Sequence, residues 1–154
     1  MSYEKTVWAG EGTLAREQEY NDHWCYERGI ITKAWLDVYA ATGDRRFYDA
    51  AKANVDQYVT ADGEILTYEP DKYNLDMICM GRTALRLFKA TGEAKYEKAC
   101  RRLIEQIKGQ PTTAEGGFWH KKLYPQQMWL DGIYMACPFL TEFAVTFGEM
   151  QWAD

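Results

Sequence analysis

The chain has 154 residues, the size of one domain, and 47% of them are hydrophobic. Its net charge is −5 with both signs interspersed, so it lacks the basic face of a nucleic-acid-binding protein. No apolar run approaches the roughly 20 residues of a membrane span, and the N-terminal residues do not resemble a signal peptide. We therefore expect one domain over residues 1–154, with neither nucleic acid nor membrane as a partner.

The cysteines and histidines argue against a metal site or a cofactor site. Cys25, Cys79, Cys100 and Cys137 are widely separated and form no CxxC pair. Each lies in a segment with helical periodicity, which predicts buried free thiols and a reducing cytoplasm. With two histidines and no cysteine cluster, we expect no dedicated zinc site and no cofactor.

A repeat organises the predicted helices. The segment at residues 34–44 recurs at residues 83–93, and a weaker copy lies at residues 138–148. Each copy is an apolar helical stripe that stops at a glycine. These glycines are predicted helix C-caps, because glycine adopts a positive φ at little cost: Gly43, Gly92 and Gly148.

An acidic residue follows each of the first two glycines and is placed to open a second helix. Asp44 precedes a predicted helix over about residues 45–60, and Glu93 precedes one over about residues 94–109. Between the pairs, residues 60–68 contain an Asp-Gly signal that predicts a turn and a short hairpin. The unit is thus a helical hairpin of about 50 residues.

The connector at residues 110–127 carries two prolines and two glycines, which predicts a long irregular loop of the functional kind. It leads into an aromatic-rich stretch in which Asp131 lies close to Trp129 and Tyr134. A carboxylate among aromatic side chains is costly unless it is paired or in use. Because sugar rings stack on aromatic faces, this stretch predicts a carbohydrate site built around one acid.

Consecutive helical hairpins form either an open solenoid or a closed α/α toroid. The repeat places Glu27, Asp76 and Asp131 at the start of the first helix in each of the three units. If the units curve around an axis, the three carboxylates would converge at one end of the toroid. Each could instead be a residue stabilised by a helix dipole or cap. For Glu27 an ordinary cap or rim position is the preferred interpretation, and His23 is expected at the surface.

Five stretches of the sequence form recognisable motifs: residues 24–29, 41–48, 73–76, 115–121 and 124–132. Two of them are long and specific: Glu-Gly-Gly-Phe-Trp-His-Lys and Tyr-Pro-Gln-Gln-Met-Trp-Leu-Asp-Gly. Together they are similar to the unsaturated glycuronyl hydrolases, and specifically to the unsaturated rhamnogalacturonyl hydrolase family. The resemblance covers roughly residues 22–150, and the opening stretch to about Tyr20 matches poorly.

The resemblance implies an (α/α)6 toroid of six helical hairpins. It also implies an activity: release of unsaturated uronic acid from lyase-generated pectin (rhamnogalacturonan) oligosaccharides. Such enzymes hydrate the C4–C5 double bond and do not displace the aglycone at the anomeric carbon with two carboxylates. One aspartate gives a proton to C4 and takes one from the water that attacks C5, after which the hemiketal collapses.

By motif, Asp131 resembles the catalytic acid and Asp76 the second aspartate, which places substrate and water. His120 resembles a substrate-contacting histidine, and Trp129 and Met128 are expected to line the subsite. Aromatic walls and a second carboxylate would favour the protonated form that an acid needs. The alternatives are helix caps for the two aspartates and a bond from His120 to a loop carbonyl.

The predicted fold class is all-α: a partial (α/α)6 toroid with about three of six hairpins and a short β-turn or hairpin in its connectors. Six hairpins need roughly 300 residues, so a fragment of a longer enzyme is the first expectation. There are two alternatives to a fragment. The chain could be a half-domain of a longer enzyme, or two chains could complete one ring through an open apolar face. A non-catalytic carbohydrate-binding or interaction module is the competing function, and a different toroid enzyme such as an epimerase is a third.

Overall fold

The computed structural model describes residues 3–16 and 22–153. The described chain is all-helical, as predicted, with two isolated antiparallel bridges as its β structure, Val59 with Ile65 and Thr112 with Phe118. Short 3-10 turns lie at Pro70–Lys72, Leu75–Met77 and Met150–Trp152. The six α-helices are α1 (Tyr3–Ala15), α2 (Tyr26–Thr42), α3 (Arg45–Asp56), α4 (Gly81–Thr91), α5 (Ala94–Lys108) and α6 (Leu130–Phe147).

Helices α2, α4 and α6 lie side by side as an inner layer. Thr32 on α2 and Thr83 on α4 share a buried hydrogen bond of 2.9 Å between their hydroxyls. Arg82 on α4 reaches Glu142 on α6, with an N–O distance of 3.2 Å. Helices α3 and α5 pack against α2 and α4 as an outer layer. The chain therefore forms consecutive helical hairpins, and this arrangement gives the inner helices a common N-terminal end.

The three glycine caps are confirmed. Gly43, Gly92 and Gly148 have φ values of 74°, 71° and 70° and directly follow α2, α4 and α6. In each case the cap N–H donates to a carbonyl of the preceding helical turn. These are left-handed backbone conformations that cost glycine little.

Helix α3 is shorter than predicted. It ends at Asp56 and not near residue 60, because the following segment makes a turn stabilised by its own backbone bonds. The N–H of Thr60 donates to the carbonyl of Glu64, and Val59 pairs with Ile65 across the predicted Asp-Gly turn. Asp44 caps α3 as expected, since its carboxylate accepts the N–H of Arg46.

The prediction that Leu75 and Asp76 start the second inner helix is wrong. They lie in the 3-10 turn Leu75–Met77, and α4 begins at Gly81. Tertiary hydrogen bonds hold this turn: the N–H of Leu75 donates to the carbonyl of His120 at 3.0 Å. Trp24 donates its indole N–H to the carbonyl of Met77 at 2.6 Å. Bonds to two other segments therefore fix a tight turn where the repeat predicts a regular helix.

Helix α1 was not predicted, because it contains no copy of the repeat and has glycines in its interior. One glycine has a packing reason. A Cβ at Gly10 would lie 2.8 Å from the Phe47 ring, so glycine allows α1 to approach α3 closely. The indole N–H of Trp35 on α2 also donates to the Thr13 hydroxyl at 2.8 Å.

The core lies between the two helical layers and is rich in aromatic side chains. Burial of one such side chain stabilises a fold by about 1.5–3 kcal/mol. Three of the four cysteines are buried free thiols as predicted, but Cys137 is exposed on α6, and Cys25 and Cys79 lie outside the α-helices. The largest fully buried aromatic residues are Trp24, Trp35, Phe47, Tyr96, Phe139 and Phe143.

Helix α6 has an exposed apolar face, as expected for part of a toroid. Leu130 is 86% exposed, and Ile133, Tyr134 and Val145 are also exposed. A second apolar surface is a groove of about 320 Å³ between α1 and α2, lined partly by Val7. None of the helices in residues 3–16 and 22–153 has both the length and the apolarity to cross a membrane.

Candidate active site

The segments that precede the three inner helices are joined to one another. Trp24, before α2, bonds to the carbonyl of Met77, before α4. Leu75 bonds in turn to the carbonyl of His120 in the connector before α6. The N–H of His120 donates to the carbonyl of Gln127 at 2.8 Å, which folds that connector onto itself. Residues far apart in sequence are thereby held at one end of the inner layer.

Two buried glutamines strengthen this junction. The Gln110 amide nitrogen donates to the carbonyls of Tyr73 at 2.9 Å and Trp119 at 2.8 Å, so one side chain ties both connectors together. Gln106 donates to the Gln110 amide oxygen at 3.1 Å and accepts the Tyr68 hydroxyl at 2.8 Å. Sequence reasoning missed both glutamines, although Gln106 is a polar residue on the buried stripe of α5.

Asp76, His120 and Asp131 meet at this end of the molecule, and each offers one atom that lies within 4.8 Å of the others. His120 Nε2 is 3.4 Å from Asp76 Oδ1, and His120 Nδ1 is 3.9 Å from Asp131 Oδ1. The histidine therefore lies between the two carboxylates. The structure brings together three of the residues that the sequence predicts for the site.

The Asp76 carboxylate is buried and paired. Lys121 Nζ lies 2.7 Å from Asp76 Oδ2, and the side chains are 26% and 12% exposed. The capping alternative for Asp76 does not describe its carboxylate, because Asn74 caps this turn by accepting the Asp76 N–H at 3.0 Å. Sequence reasoning missed Lys121, which stands next to His120 in the Glu-Gly-Gly-Phe-Trp-His-Lys motif.

His120 is 1% exposed and its ring is fixed by stacking. The Trp129 ring lies parallel to it, with centroids 4.4 Å apart, and Tyr124 stacks on Trp129 at 5.2 Å. Burial lowers the pKa of His120 below its ordinary value; the charges of Asp76 and Asp131 oppose this, and Lys121 lowers the pKa further. The lowered pKa favours the neutral form of the imidazole.

Asp131 lies in the first turn of α6 with its side chain 49% exposed. The residue after it is closely packed: a Cβ at Gly132 would lie 3.2 Å from Leu75 Cδ1, which would have to shift slightly, and 3.4 Å from His120 Nδ1. This close packing sets the start of α6 against the histidine. The helix N-cap is Trp129, whose side chain makes no capping bond, so the helix dipole remains a structural reason for an acid at Asp131.

The remaining predicted site residues lie at the rim. Met128 is 56% exposed and covers Gly117, whose Cβ would lie 2.1 Å from the Met128 sulfur. Trp129 presents its other edge to solvent and donates its indole N–H to the Gln127 side chain at 3.1 Å. His23 is exposed as expected.

Glu27 is not a member of the acid and histidine cluster. It lies in the first turn of α2 and accepts a hydrogen bond of 3.4 Å from the Tyr26 hydroxyl. The charge of Glu27, together with burial and the charge of Asp76, raises the pKa of Tyr26. The start of α2 therefore contributes negative charge near the site, while its carboxylate stays apart from the cluster.

Two carboxylates and an imidazole could together hold a metal ion, and in the described chain Asp76, His120 and Asp131 form such a group. The Lys121 ammonium already lies against Asp76 and supplies positive charge there. The donor set is therefore better suited to proton transfer than to tight cation binding.

A cavity of about 520 Å³ adjoins the cluster through Lys121. Its charged lining consists of Asp71 and three lysines, two of which pair with the carboxylates of Glu69 and Asp76. Lys122 Nζ reaches the Asp71 carbonyl at 3.5 Å and lies 5.6 Å from the centroid of the Tyr73 ring. The lysines are Lys72, Lys121 and Lys122.

Comparison with known proteins bears on this site, since the model of Glycosyl Hydrolase Family 88 matches residues 5–154. The chain belongs to Glycosyl Hydrolase Family 88. The match includes α1 and so extends further toward the N-terminus than the resemblance at residues 22–150 predicted from the sequence motifs.

A solved structure is similar over the same range: a glycoside hydrolase from family 105 of C. acetobutylicum ATCC 824. It is 36% identical to this family 88 chain, with a TM-score of 0.88. The alignment covers 98% of this chain and 41% of that one. The helical hairpins described above thus match part of an (α/α)6 toroid, and the chain spans less than half the length of its structural relative.

Proposed function

We propose that this chain carries the catalytic acid of a glycoside hydrolase that releases unsaturated uronic acid from lyase-generated rhamnogalacturonan oligosaccharides. Asp131 is the acid. The observation that carries the proposal is the cluster in which a half-exposed Asp131 faces a buried His120 and a paired Asp76. Residues 1–154 are part of one toroid domain in this proposal, and family 88 membership supports the hydrolase class.

The reaction is the hydration of the C4–C5 double bond. The Asp131 carboxyl group gives its proton to C4 while water adds to C5, and Asp131 takes a proton back from that water. The resulting hemiketal opens and expels the rest of the oligosaccharide. One acid that serves in both directions is sufficient, so the cluster does not need a second nucleophilic carboxylate.

Asp76 then has a different role from Asp131. Its negative charge is balanced by Lys121 at 2.7 Å and it is buried, so it serves to orient the site and its water. Trp129 and Met128 form the exposed apolar rim on which a sugar ring would pack.

The lysine-lined cavity beside Asp76 supports an anionic substrate. The unsaturated uronate and pectin-derived neighbours carry carboxylates, and cations beside the site attract them. Lys122 makes no ion pair with a described acidic side chain within 4.0 Å, which leaves its charge for a ligand.

The proposal is tested with an unsaturated rhamnogalacturonan disaccharide, whose double bond absorbs ultraviolet light. The chain should bleach this absorbance, and the Asp131→Asn variant should not. Asp62→Asn is the matched control, because Asp62 is exposed in the turn after α3. Equal rates for Asp131→Asn and the unaltered chain would exclude Asp131 as the acid.

The competing function is carbohydrate binding without turnover. The exposed apolar rim of Trp129 and Met128 supports it, because such a surface can bind a sugar ring without any use of the acid. Calorimetric binding of the disaccharide with no loss of absorbance would support binding alone.

The exposed face of α6 and the groove between α1 and α2 support self-association as a further part of the proposal. Both surfaces are apolar, and two copies could bury them against each other around one ring. Sedimentation equilibrium should then give a dimer that Ile133→Glu disrupts. A well-folded monomer at all concentrations would exclude it.

A further inference from the structure

His120 is closed to solvent although it lies between two carboxylates. Its ring is 1% exposed and is covered by Trp129, which leaves the two ring nitrogens as its polar contacts. Nε2 lies 3.4 Å from Asp76 Oδ1. Nδ1 is buried and has no hydrogen-bond partner in the described chain, and the nearest ionisable oxygen is Asp131 Oδ1 at 3.9 Å.

The surroundings decide which nitrogen carries the proton. A neutral imidazole has one N–H donor and one acceptor nitrogen. The Asp76 carboxylate is paired with Lys121 and can only accept, so the donor N–H belongs on Nε2. Nδ1 is then left with its lone pair directed at the start of α6.

A lone pair at Nδ1 repels an ionised carboxylate oxygen and attracts an O–H group. Asp131 is half-exposed in the first helical turn, and its side chain needs to move by only about 1 Å to reach hydrogen-bond distance. A protonated Asp131 could donate to Nδ1, whereas an ionised one has no donor for it.

We infer that His120 is the positioning residue for the acid: held as the Nε2–H tautomer by Asp76 and Lys121, it accepts at Nδ1 a hydrogen bond from the protonated Asp131 carboxyl group, which keeps that proton until it is given to the substrate. This role replaces direct contact between His120 and the substrate. The role of His120 in catalysis rests on the proposed function. The assignment of its tautomer and the lack of a hydrogen-bond partner for Nδ1 in the described chain do not. The charged groups that face the ring are Asp76, Asp131 and Lys121.

The direct test is ¹⁵N-edited NMR of the histidine rings in the full chain. Only two histidines are present, and exposed His23 serves as the internal control. We expect His120 to show one Nε2–H tautomer with an unprotonated Nδ1 at neutral pH. An Nδ1–H tautomer, a mixture of the two tautomers, or a cationic ring at neutral pH would each overturn the inference.

Two variants connect the tautomer to its neighbours. Asp76→Ala removes the acceptor for Nε2–H, so the tautomer ratio of His120 should shift toward a mixture. Asp131→Asn places an amide donor beside Nδ1 and should keep the Nε2–H tautomer while it shifts the Nδ1 resonance. No change in either variant would contradict the inference, and Asp62→Asn should leave both histidines as they are.

An activity measurement separates positioning from substrate contact. If the chain turns over the disaccharide, His120→Gln should lower kcat about tenfold or more with KM within about twofold, and should move the acidic limb of the pH profile. A raised KM with unchanged kcat would indicate substrate contact and overturn the inference. Absence of turnover in the unaltered chain together with the predicted NMR spectrum would reject the proposed function and leave the tautomer assignment intact.

Discussion

Asp76, in the turn before α4, and Asp131, in the first turn of α6, lie on either side of one histidine, yet their surroundings are opposite. Asp76 is buried, carries a lysine at 2.7 Å and lies in a turn held by other segments. Asp131 is 49% exposed on a regular helix, with His120 at 3.9 Å as its nearest ionic partner. A carboxylate with a lysine against it is suited to hold a fixed charge in the site. A carboxylate without such a close ionic partner is better suited to exchange a proton with a substrate.

The largest expected effect is on turnover. Asp131→Asn removes the only proposed proton donor and should lower the rate at least about 100-fold, since general acids contribute on that scale. Because the Asp131 side chain is half-exposed, the substitution should change the protein's free energy of unfolding by less than about 0.5 kcal/mol. Ultraviolet bleaching and urea unfolding measure the two quantities, and a large stability loss would make Asp131 a structural residue instead.

The ion pair at Asp76, unlike Asp131, should contribute to stability. Lys121→Met leaves the buried Asp76 carboxylate unpaired and should lower the free energy of unfolding by about 1–3 kcal/mol. Lys122→Met is the matched control, because Lys122 contacts a carbonyl and a ring. Equal unfolding free energies for the two variants would mean that the ion pair between Lys121 and Asp76 does not contribute to stability.

Gln110 tests whether the junction beneath the cluster is rigid. Gln110→Ala removes two hydrogen bonds to the connectors and should lower the unfolding free energy by about 1–3 kcal/mol. Gln57→Ala, at an exposed position after α3, should change it by less than about 0.5 kcal/mol. Faster amide exchange at His120 and Leu75 in the first variant would locate the loss at the junction.

The smallest effect concerns Asp56, a paired carboxylate outside the site. Burial opposes its ionisation, but hydrogen bonds from Lys52, Lys95 and Tyr96 outweigh burial and lower the pKa of Asp56. A folded-state pKa below the unfolded one gives stability that is present above the unfolded pKa and is lost as the pH falls through the folded one. Asp56→Asn should therefore cost about 0.5–1 kcal/mol at pH 7 and little at pH 2.

The control for that prediction is Asp49→Asn. Asp49 pairs with Arg45 on the exposed side of α3, and both side chains are more than half exposed. Solvent screens such a pair, so its loss should be close to zero at both pH values. A cost for Asp49 equal to that for Asp56 would show that pairing, without burial, sets the effect.

Local signals made much of the fold predictable from the sequence. Gly43, Gly92 and Gly148 terminate helices because a positive φ suits glycine wherever it occurs. The stripes of α3 and α5 are visible as apolar periodicity, and the Asp-Gly turn needs only its own residues. Asp131 and His120 were proposed as site residues because their motifs are long, and in the structure their side chains lie 3.9 Å apart.

Tertiary contacts account for what sequence reasoning missed. The turn at Leu75–Met77 depends on bonds from Trp24 and His120, which no periodicity reveals. Lys121 and Gln110 act across segments that are distant in sequence. The repeat aligned Asp76 with Asp131 as equivalent helix starts, and the structure gives them unlike environments, which is the difference on which the proposed chemistry depends.

The measurement that tests the account most directly is turnover of the unsaturated disaccharide in D2O, followed by NMR of the released sugar. Proton transfer from Asp131 to C4 predicts one deuterium at C4 and loss of the double bond. A released sugar that keeps its C4–C5 double bond and carries no deuterium at C4 would contradict the account.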